Sequence, residues 1–355
     1  MASGAGTRTW WKRGWALVPA LAAATTGGWV FTWLGVPLGW MLGSMTACMV
    51  ITISGGHLVS PRKLRPPMAV LLGLAIGAGF QPQMLAQMSQ WLISLVLVIP
   101  MLGLVSLLGR AYFSRVAGYD RLTALYCAIP GGLSEIVLLA EQTTADVRTI
   151  ALVHAARIAI TISVLSIGVG LFIDLSAVQS ADGVSPFVPA AGSFVELGIL
   201  LGLGILAWRI GKRLSVPAPH MMAPLVLSAV AHMSGWIVVE LPAVLVAAAQ
   251  VVIGAGIGCR FAGTRLAFLG RVFVHGLVFV AIVLSFCLLL AVCLTGWVGQ
   301  PAPTIVMAFS PGGLTELSLL SLAAGLDAGY VAAHHLVRQL TVVTVAPFLG
   351  PRPNR

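Results

Sequence analysis

Apolar stretches of about 18 or more residues follow one another along almost the whole chain. Each is long enough to cross the ~30 Å hydrocarbon core of a bilayer as a helix. Of the 355 residues, 59% are hydrophobic and 8% charged, against about 25% charged in ordinary soluble domains. The chain reads as a polytopic, all-α membrane protein. Draft spans fall at 15–34, 36–53, 67–80, 91–109 and 147–173, then at 191–210, 217–238, 241–258, 272–297 and 328–349. Arg8, Lys12 and Arg13 before an apolar run imitate a secretory signal, but that run continues through Leu34 and has a counterpart further on, so it counts as the first span.

Two segments break the pattern in the same way: PGGLSE at 130–135 and PGGLTE at 311–316. Superposing them at a shift of 181 residues extends the match over 130–157 and 311–338, with about 11 of 28 positions identical. Upstream, GLAIGAGF (73–80) lies over GAGIGCRF (254–261), and Pro37 corresponds to Pro217 after a one-residue gap. The chain therefore divides into a first membrane repeat (1–173), a linker (174–190) and a second repeat (191–355). The two PGGL segments, about 122–141 and 304–322, are each two short apolar pieces around a Gly-Gly break.

Lys and Arg decide the topology. If the PGGL segments enter the membrane and return to the same side, the clusters at Arg8-Lys12-Arg13, Arg62-Lys63-Arg65, Arg110-Arg115-Arg121, Arg209-Lys212-Arg213, Arg260-Arg265-Arg271 and Arg352-Arg355 all share one face. The linker, which has acids and no Lys or Arg, takes the other. The positive-inside rule makes the first face cytoplasmic, with both termini. The expectation is five crossings and one broken, re-entrant helix per repeat, the second repeat inverted relative to the first. The formal charge of +10 is spread over these loops and forms no basic, aromatic-rich patch, so nucleic acid is excluded as a direct partner.

Non-helical backbone survives at membrane depth only inside protein or around a wet cavity. Paired broken helices in inverted repeats point to a transporter's midplane site. Gly131-Gly132 and Gly312-Gly313 supply turns free of side chains, and a half-helix starts after each with its first N–H groups unpartnered. Glu135 and Glu316, in those first turns, either satisfy their own helix N-termini or form a proton or cation site. Ser134 and Thr315 are caps or ligands. On the next helix His154 and Arg157, repeated as His335 and Arg338, share a face. Arg157 lies about 15 Å along that helix, near mid-bilayer. Either these arginines pair with Glu135 and Glu316, or they make an anion-friendly cavity with the breaks. His154 and His335 are proton relays or buried structural histidines. Asp146 and Asp327 read as N-caps. His334, with Val153 opposite, breaks the symmetry, and Glu196 and Gln339 have no polar counterparts.

Cys48, Cys127, Cys259, Cys287 and Cys293 show no CxxC spacing and read as packing residues. The seven histidines (His57, His154, His220, His232, His275, His334, His335) show no HxxH or HExxH, so the sequence asks for no metal and no cofactor. No phosphate loop suggests a primary pump; GLAIG and GAGIG fit small-residue helix packing.

With PGGLSE…HAAR and PGGLTE…HHLVR, the chain resembles, over nearly its whole length, the bacterial AbrB-type integral membrane family. Its members carry an internal duplication, and some are labelled ammonia monooxygenase or regulators of gene expression. They are unrelated to the small DNA-binding transition-state regulator of the same name. The architecture is also similar to that of inverted-repeat secondary transporters, a fold-level analogy that names no substrate. The resemblance implies a multi-pass protein of the bacterial cytoplasmic membrane. The expected function is secondary transport of a small polar or anionic solute, coupled to H⁺ or Na⁺, rather than an enzyme activity. The alternatives are regulation of gene expression, through a partner or a transported metabolite, and a membrane monooxygenase. Expected partners are the bilayer, the solute or ion and, in a homo-oligomer, further copies of the chain.

Overall fold

The computed structural model describes residues 16–80, 84–172, 194–214, 216 and 218–349. Pro217, the 174–190 linker and both terminal basic clusters lie outside the described residues. The fold is all-α. The first repeat forms α1 (Val18–Trp33), α2 (Gly39–Ile53), α3 (Arg65–Ala78), α4 (Met84–Arg115), α5 (Arg121–Ala128), α6 (Leu133–Ala140) and α7 (Val147–Phe172). The second forms α8 (Phe194–Arg213), α9 (Pro219–Met233), α10 (Ala243–Gly258), α11 (Leu266–Val298), α12 (Ala302–Phe309), α13 (Leu314–Ala323) and α14 (Ala328–Leu349). A 3₁₀ turn, Cys259–Phe261, follows α10.

The repeat is visible in the helix boundaries: α5, α6 and α7 start at 121, 133 and 147, and α12, α13 and α14 at 302, 314 and 328. It reaches the backbone angles too. Leu38 (φ 54°) and Ala218 (φ 44°), one residue before α2 and α9, are the described non-glycine residues in the left-handed region. Such a conformation costs about 1–2 kcal/mol for an L-residue, so its recurrence at matched positions marks a shared helix start.

Five helical stretches are long and apolar enough to cross a bilayer: 89–115, 147–171, 194–213, 243–261 and 266–298. Helices α1, α2, α3 and α9 have 16, 15, 14 and 15 residues, and at 1.5 Å per residue each is shorter than a ~30 Å core. The expected spans for α1, α2 and α9 exceed the helices, whereas α3 keeps its expected 14 residues but starts two residues earlier; left-handed Leu38 and Ala218 delay the starts of α2 and α9. Conversely, α4 and α11 run to 32 and 33 residues. One-third of the α4 and α11 spans is buried, against two-thirds of the α7 and α10 spans. The outer helices turn apolar side chains such as Val96, Leu107, Leu289 and Val292 outward, as a lipid-facing surface requires.

Packing sorts the helices into two bundles, each drawing on both repeats. Helices α1–α3 pack with α8–α10, and α4–α7 with α11–α14. In the first bundle the repeats exchange partners through matched glycines. Gly73 and Gly77 bring α3 against α9, where an added methyl would meet the Met221 and Leu225 carbonyls. Gly254 and Gly258 bring α10 against α2, where it would meet the Met41 and Met45 carbonyls. Small-residue packing thus accounts for both glycine motifs. The start of α3 meets the end of its counterpart α10, with Arg65 lying along Gly256. In the second bundle the two ends of the broken segment meet: Thr123 Oγ1, near the start of α5, accepts from the Asp146 N–H just before α7 at 2.9 Å. The second repeat does the same, Gln300 Nε2 before α12 donating to Asp327 Oδ2 before α14 at 2.8 Å. The five cysteines are free thiols; Cys48 and Cys259 pack in one buried cluster between α2 and the turn after α10, a neighbourhood their 211-residue separation conceals.

Candidate functional site

The site is built around the two breaks. Asp120 caps α5, its Oδ1 accepting from Leu122 and Thr123 N–H at 3.0 Å. The helix stops at Ala128, and Ile129 turns extended before Pro130, which cannot donate a backbone hydrogen bond. Gly132 (φ −65°, ψ 137°) precedes α6, and Gly313 (φ −78°, ψ 147°) precedes α13. Neither uses positive φ; at Gly131, Gly312 and Gly313 the requirement is space. A Cβ on Gly131 would sit 2.6 Å from Val342 Cγ1 of α14, one on Gly312 would overlap Leu317, and one on Gly313 would overlap the Glu316 carboxylate.

A helix that ends at depth leaves carbonyls without partners, and the His-x-x-Arg pair of the following long helix supplies them. Arg157 donates from Nη1 to Ile129 O and from Nη2 to Gly131 O, both at 3.3 Å. Arg338 donates from Nη1 to Ser310 O and from Nη2 to Gly312 O, both at 2.6 Å. His154 Nε2 meets Tyr126 O at 2.9 Å and His335 Nε2 meets Met307 O at 3.0 Å. The Nη groups of Arg338 are thus given to the broken backbone rather than to Glu316; the Glu135 side chain, the other carboxylate offered by the sequence, lies outside the described residues.

Hydrogen-bond logic separates the two histidines. Arg157 Nη2 lies 3.0 Å from His154 Nδ1, and a guanidinium only donates, so Nδ1 accepts and the ring proton sits on Nε2. Both His154 nitrogens are occupied, which favours the structural reading there. His335 is equally buried, but its Nδ1 has no protein partner. The matched pair is therefore not chemically equivalent.

Asp146 and Asp327 are N-caps, Asp146 accepting from Thr149 N–H at 3.1 Å and Asp327 from Tyr330 N–H at 2.8 Å. Thr315 does not cap α13: its hydroxyl reaches Met221 Sδ on α9, in the other bundle, at 2.8 Å, and the residue lines the cavity described below. The Ser134 and Glu135 side chains lie outside the described residues, though both residues belong to α6. Glu316 is buried at 8% exposure in the first turn of α13 and folds back over Gly313. Arg65 and Arg338 are the cations acting on its carboxylate. His334, the asymmetric one, joins α14 to α4 through Ser94 Oγ at 3.0 Å.

Both breaks open onto one cavity of about 540 Å³ between the bundles, within the roughly 300–1,000 Å³ of small-molecule sites. Gly131, Gly132, Gly312 and Gly313 form one wall with Arg157 and Arg338. The other bundle contributes Arg62, Arg65, Arg260 and His220. Glu316 is the carboxylate facing this set, and Gln339, unranked by sequence, also lines it. Arg62, Arg65 and Arg260 were legible only as loop charges; nothing in their spacing placed them on a cavity wall. At an effective dielectric near 20, two charges 6 Å apart interact by about 3 kcal/mol, so this wall strongly favours an anion.

Gly313 and Glu316 can be tested together. Gly313→Ala is expected to lower the melting temperature by displacing the carboxylate from α13's N-terminus. In a Glu316→Ala background the same change should cost markedly less, a coupling of about 0.5–3 kcal/mol in a double-mutant cycle. Additive effects would mean that the glycine serves something other than the carboxylate.

A family model described as "Transition state regulatory protein AbrB" matches residues 40–351. The chain is 23% identical to "Uncharacterized protein YhjN" of Bacillus subtilis (strain 168), over 92% of this chain and 90% of that protein. It is 24% identical to "Putative regulator AbrB" of Escherichia coli (strain K12), over 95% of each.

Proposed function

The chain belongs to the AbrB family, and we propose that it is a secondary active transporter of a small anionic or polar solute, coupled to H⁺ or Na⁺. The observation that carries this reading is the arginine-lined cavity between two bundles, walled by both helix breaks. Alternating access needs a site shared by two bodies that can move against each other. Here α3, α9 and the end of α10 face the breaks across that cavity.

Several features support the expected topology. The start of α3 lies against the end of its counterpart α10, as inverted repeats require. The ends of each broken segment lie side by side, as a re-entrant helix requires. Arg148 Nη2 donates to Gly263 O at 2.8 Å, and Arg62, Arg65 and Arg260 share the cavity, so these basic loops gather at one face. The positive-inside rule makes that face cytoplasmic, in the inner membrane of a bacterium, with the cavity facing inward.

The solute is held by the Arg157 and Arg338 side and the half-helix N-termini. Glu316, with Glu135 as its counterpart, carries the coupling proton or Na⁺, and His335, with its spare nitrogen, is the better relay of the two histidines. Among the described residues no three His, Cys, Asp or Glu gather as a metal site would need. The word "regulator" in the name of the Escherichia coli relative fits the same reading if the moved solute is itself a signal.

The test is uptake by proteoliposomes of radiolabelled acetate, succinate and phosphate under an imposed H⁺ or Na⁺ gradient. At least one anion should accumulate only with a gradient, and Glu316→Gln should uncouple it. Uptake no greater than in protein-free vesicles for all three, under either gradient, would overturn the reading.

A further inference from the structure

This inference rests on the cavity being a solute site and concerns which solutes it takes. Its cations stand on two walls that belong to different bundles. On the wall of the breaks, Arg157 and Arg338 are 2% and 7% exposed. Their Nη groups serve the broken backbone, and the Nε–H of each is buried without a protein partner. Both arginines line the cavity. Each thus keeps one donor that its structural work does not use.

The facing wall is a cluster of like charge. Arg260, in the turn after α10, feels the charges of Arg65 and Arg62. Arg62 also acts on Arg65, at the start of α3. Gly256 lets the Arg65 side chain lie flat along α10: a Cβ there would stand 3.0 Å from Arg65 Cδ and 3.3 Å from Nε. Three arginines drawn together from two helices repel one another. On an open surface salt would screen that repulsion, but Arg65 and Arg260 face the cavity. A carboxylate or phosphate bound between them relieves it, and guanidinium forks suit both groups. Among the described side chains, Glu316, which acts on both Arg65 and Arg338, is the acid set against five arginines.

A solute with a single negative charge would engage one wall and leave the other cationic. We propose that the transported solute carries two separated anionic groups, one held by Arg157 and Arg338 at the breaks and the other by Arg65 and Arg260 on the facing bundle. Such a solute ties the bundles together while bound, so occupancy depends on their relative position.

The test compares succinate, glutarate, butyrate and inorganic phosphate as stabilisers of the full-length protein in uncharged detergent, at about 0.15 M ionic strength. Succinate or glutarate should raise the melting temperature with a half-maximal concentration at least tenfold below that of butyrate. Arg260→Gln should abolish this advantage, bringing the half-maximal concentrations of succinate and butyrate together, while Arg260→Lys keeps part of it. Should Arg260→Gln fail to fold, the exposed Arg62→Gln carries the same comparison. Equal half-maximal concentrations for succinate and butyrate, or a dicarboxylate advantage that survives the Gln variants, would overturn the proposal. So would an arginine-dependent stabilisation by added phosphatidylglycerol with none by the dicarboxylates, which would assign the cluster to a lipid headgroup. Gradient-driven acetate uptake at full rate in Arg260→Gln would sink the two-anion solute and leave transport standing. No shift with any of the four compounds, together with no uptake, would sink both.

Discussion

Arg338→Ala is expected to abolish stable folding or come close to it. The substitution strips Ser310 and Gly312 carbonyls, deep in the second bundle, of donors now 2.6 Å away. A buried polar group left unpaired costs about 1–3 kcal/mol, so losing both donors costs roughly 2–6 kcal/mol, a large share of the 5–15 kcal/mol that holds a typical domain together. Lysine should rescue only in part, because one ammonium replaces a fork that spans two carbonyls. The matched Arg157→Ala should cost less, since its bonds to Ile129 and Gly131 are longer, at 3.3 Å. Thermal denaturation of the purified variants, ranked wild type, then Arg157→Ala, then Arg338→Ala, checks the claim. An Arg338→Ala protein that melts with wild type would show that water, not arginine, satisfies the break.

This explains what the sequence could and could not disclose. The broken helices were legible because Pro-Gly-Gly inside an apolar run is costly unless the fold uses it, and its recurrence at 181 residues removed chance as an explanation. That Arg157 and Arg338 sit at one depth on matched helices followed from counting turns. Their partners did not follow, because a carbonyl acceptor leaves no mark in the side-chain sequence, whereas Glu135 and Glu316 were visible candidates. Arg65 and Arg260 were hidden for another reason: they lie in loop clusters that the positive-inside rule already explains, and only the meeting of α3 with α10 turns them inward. The starts of α2 and α9 were misjudged because hydropathy does not see the left-handed turns at Leu38 and Ala218. His335 and His154 look identical in sequence; Arg157 Nη2, 3.0 Å from His154 Nδ1, separates them.

Locking the two bundles together should stop transport reversibly. The bundles touch where α3 ends against α14: a Cβ on Gly79 would lie 3.7 Å from Ala328 Cβ, inside the 3.5–4.5 Å range of a disulfide. Gly79 has ordinary right-handed helical angles (φ −70°, ψ −8°), so cysteine is allowed there by the backbone, with its Cβ 3.2 Å from the Ile76 carbonyl oxygen. The double variant Gly79→Cys/Ala328→Cys is expected to crosslink under mild oxidation and to lose uptake of whichever of the three anions the wild type accumulates, with recovery on adding dithiothreitol. A slide of even one helical turn, about 5.4 Å, would separate the two sites beyond bonding distance, so the bond freezes one state. The matched control lies within a single bundle: a Cβ on Gly276 of α11 would stand 3.8 Å from Ala156 Cβ of α7, and Ala156→Cys/Gly276→Cys should crosslink equally well yet leave uptake intact. Retained uptake in the fully crosslinked Gly79/Ala328 variant would mean that the bundles do not move against each other there, and the solute would have to pass by smaller motions of the half-helices. Loss in both crosslinked proteins would point instead to rigidity within the α4–α7 and α11–α14 bundle as the cause.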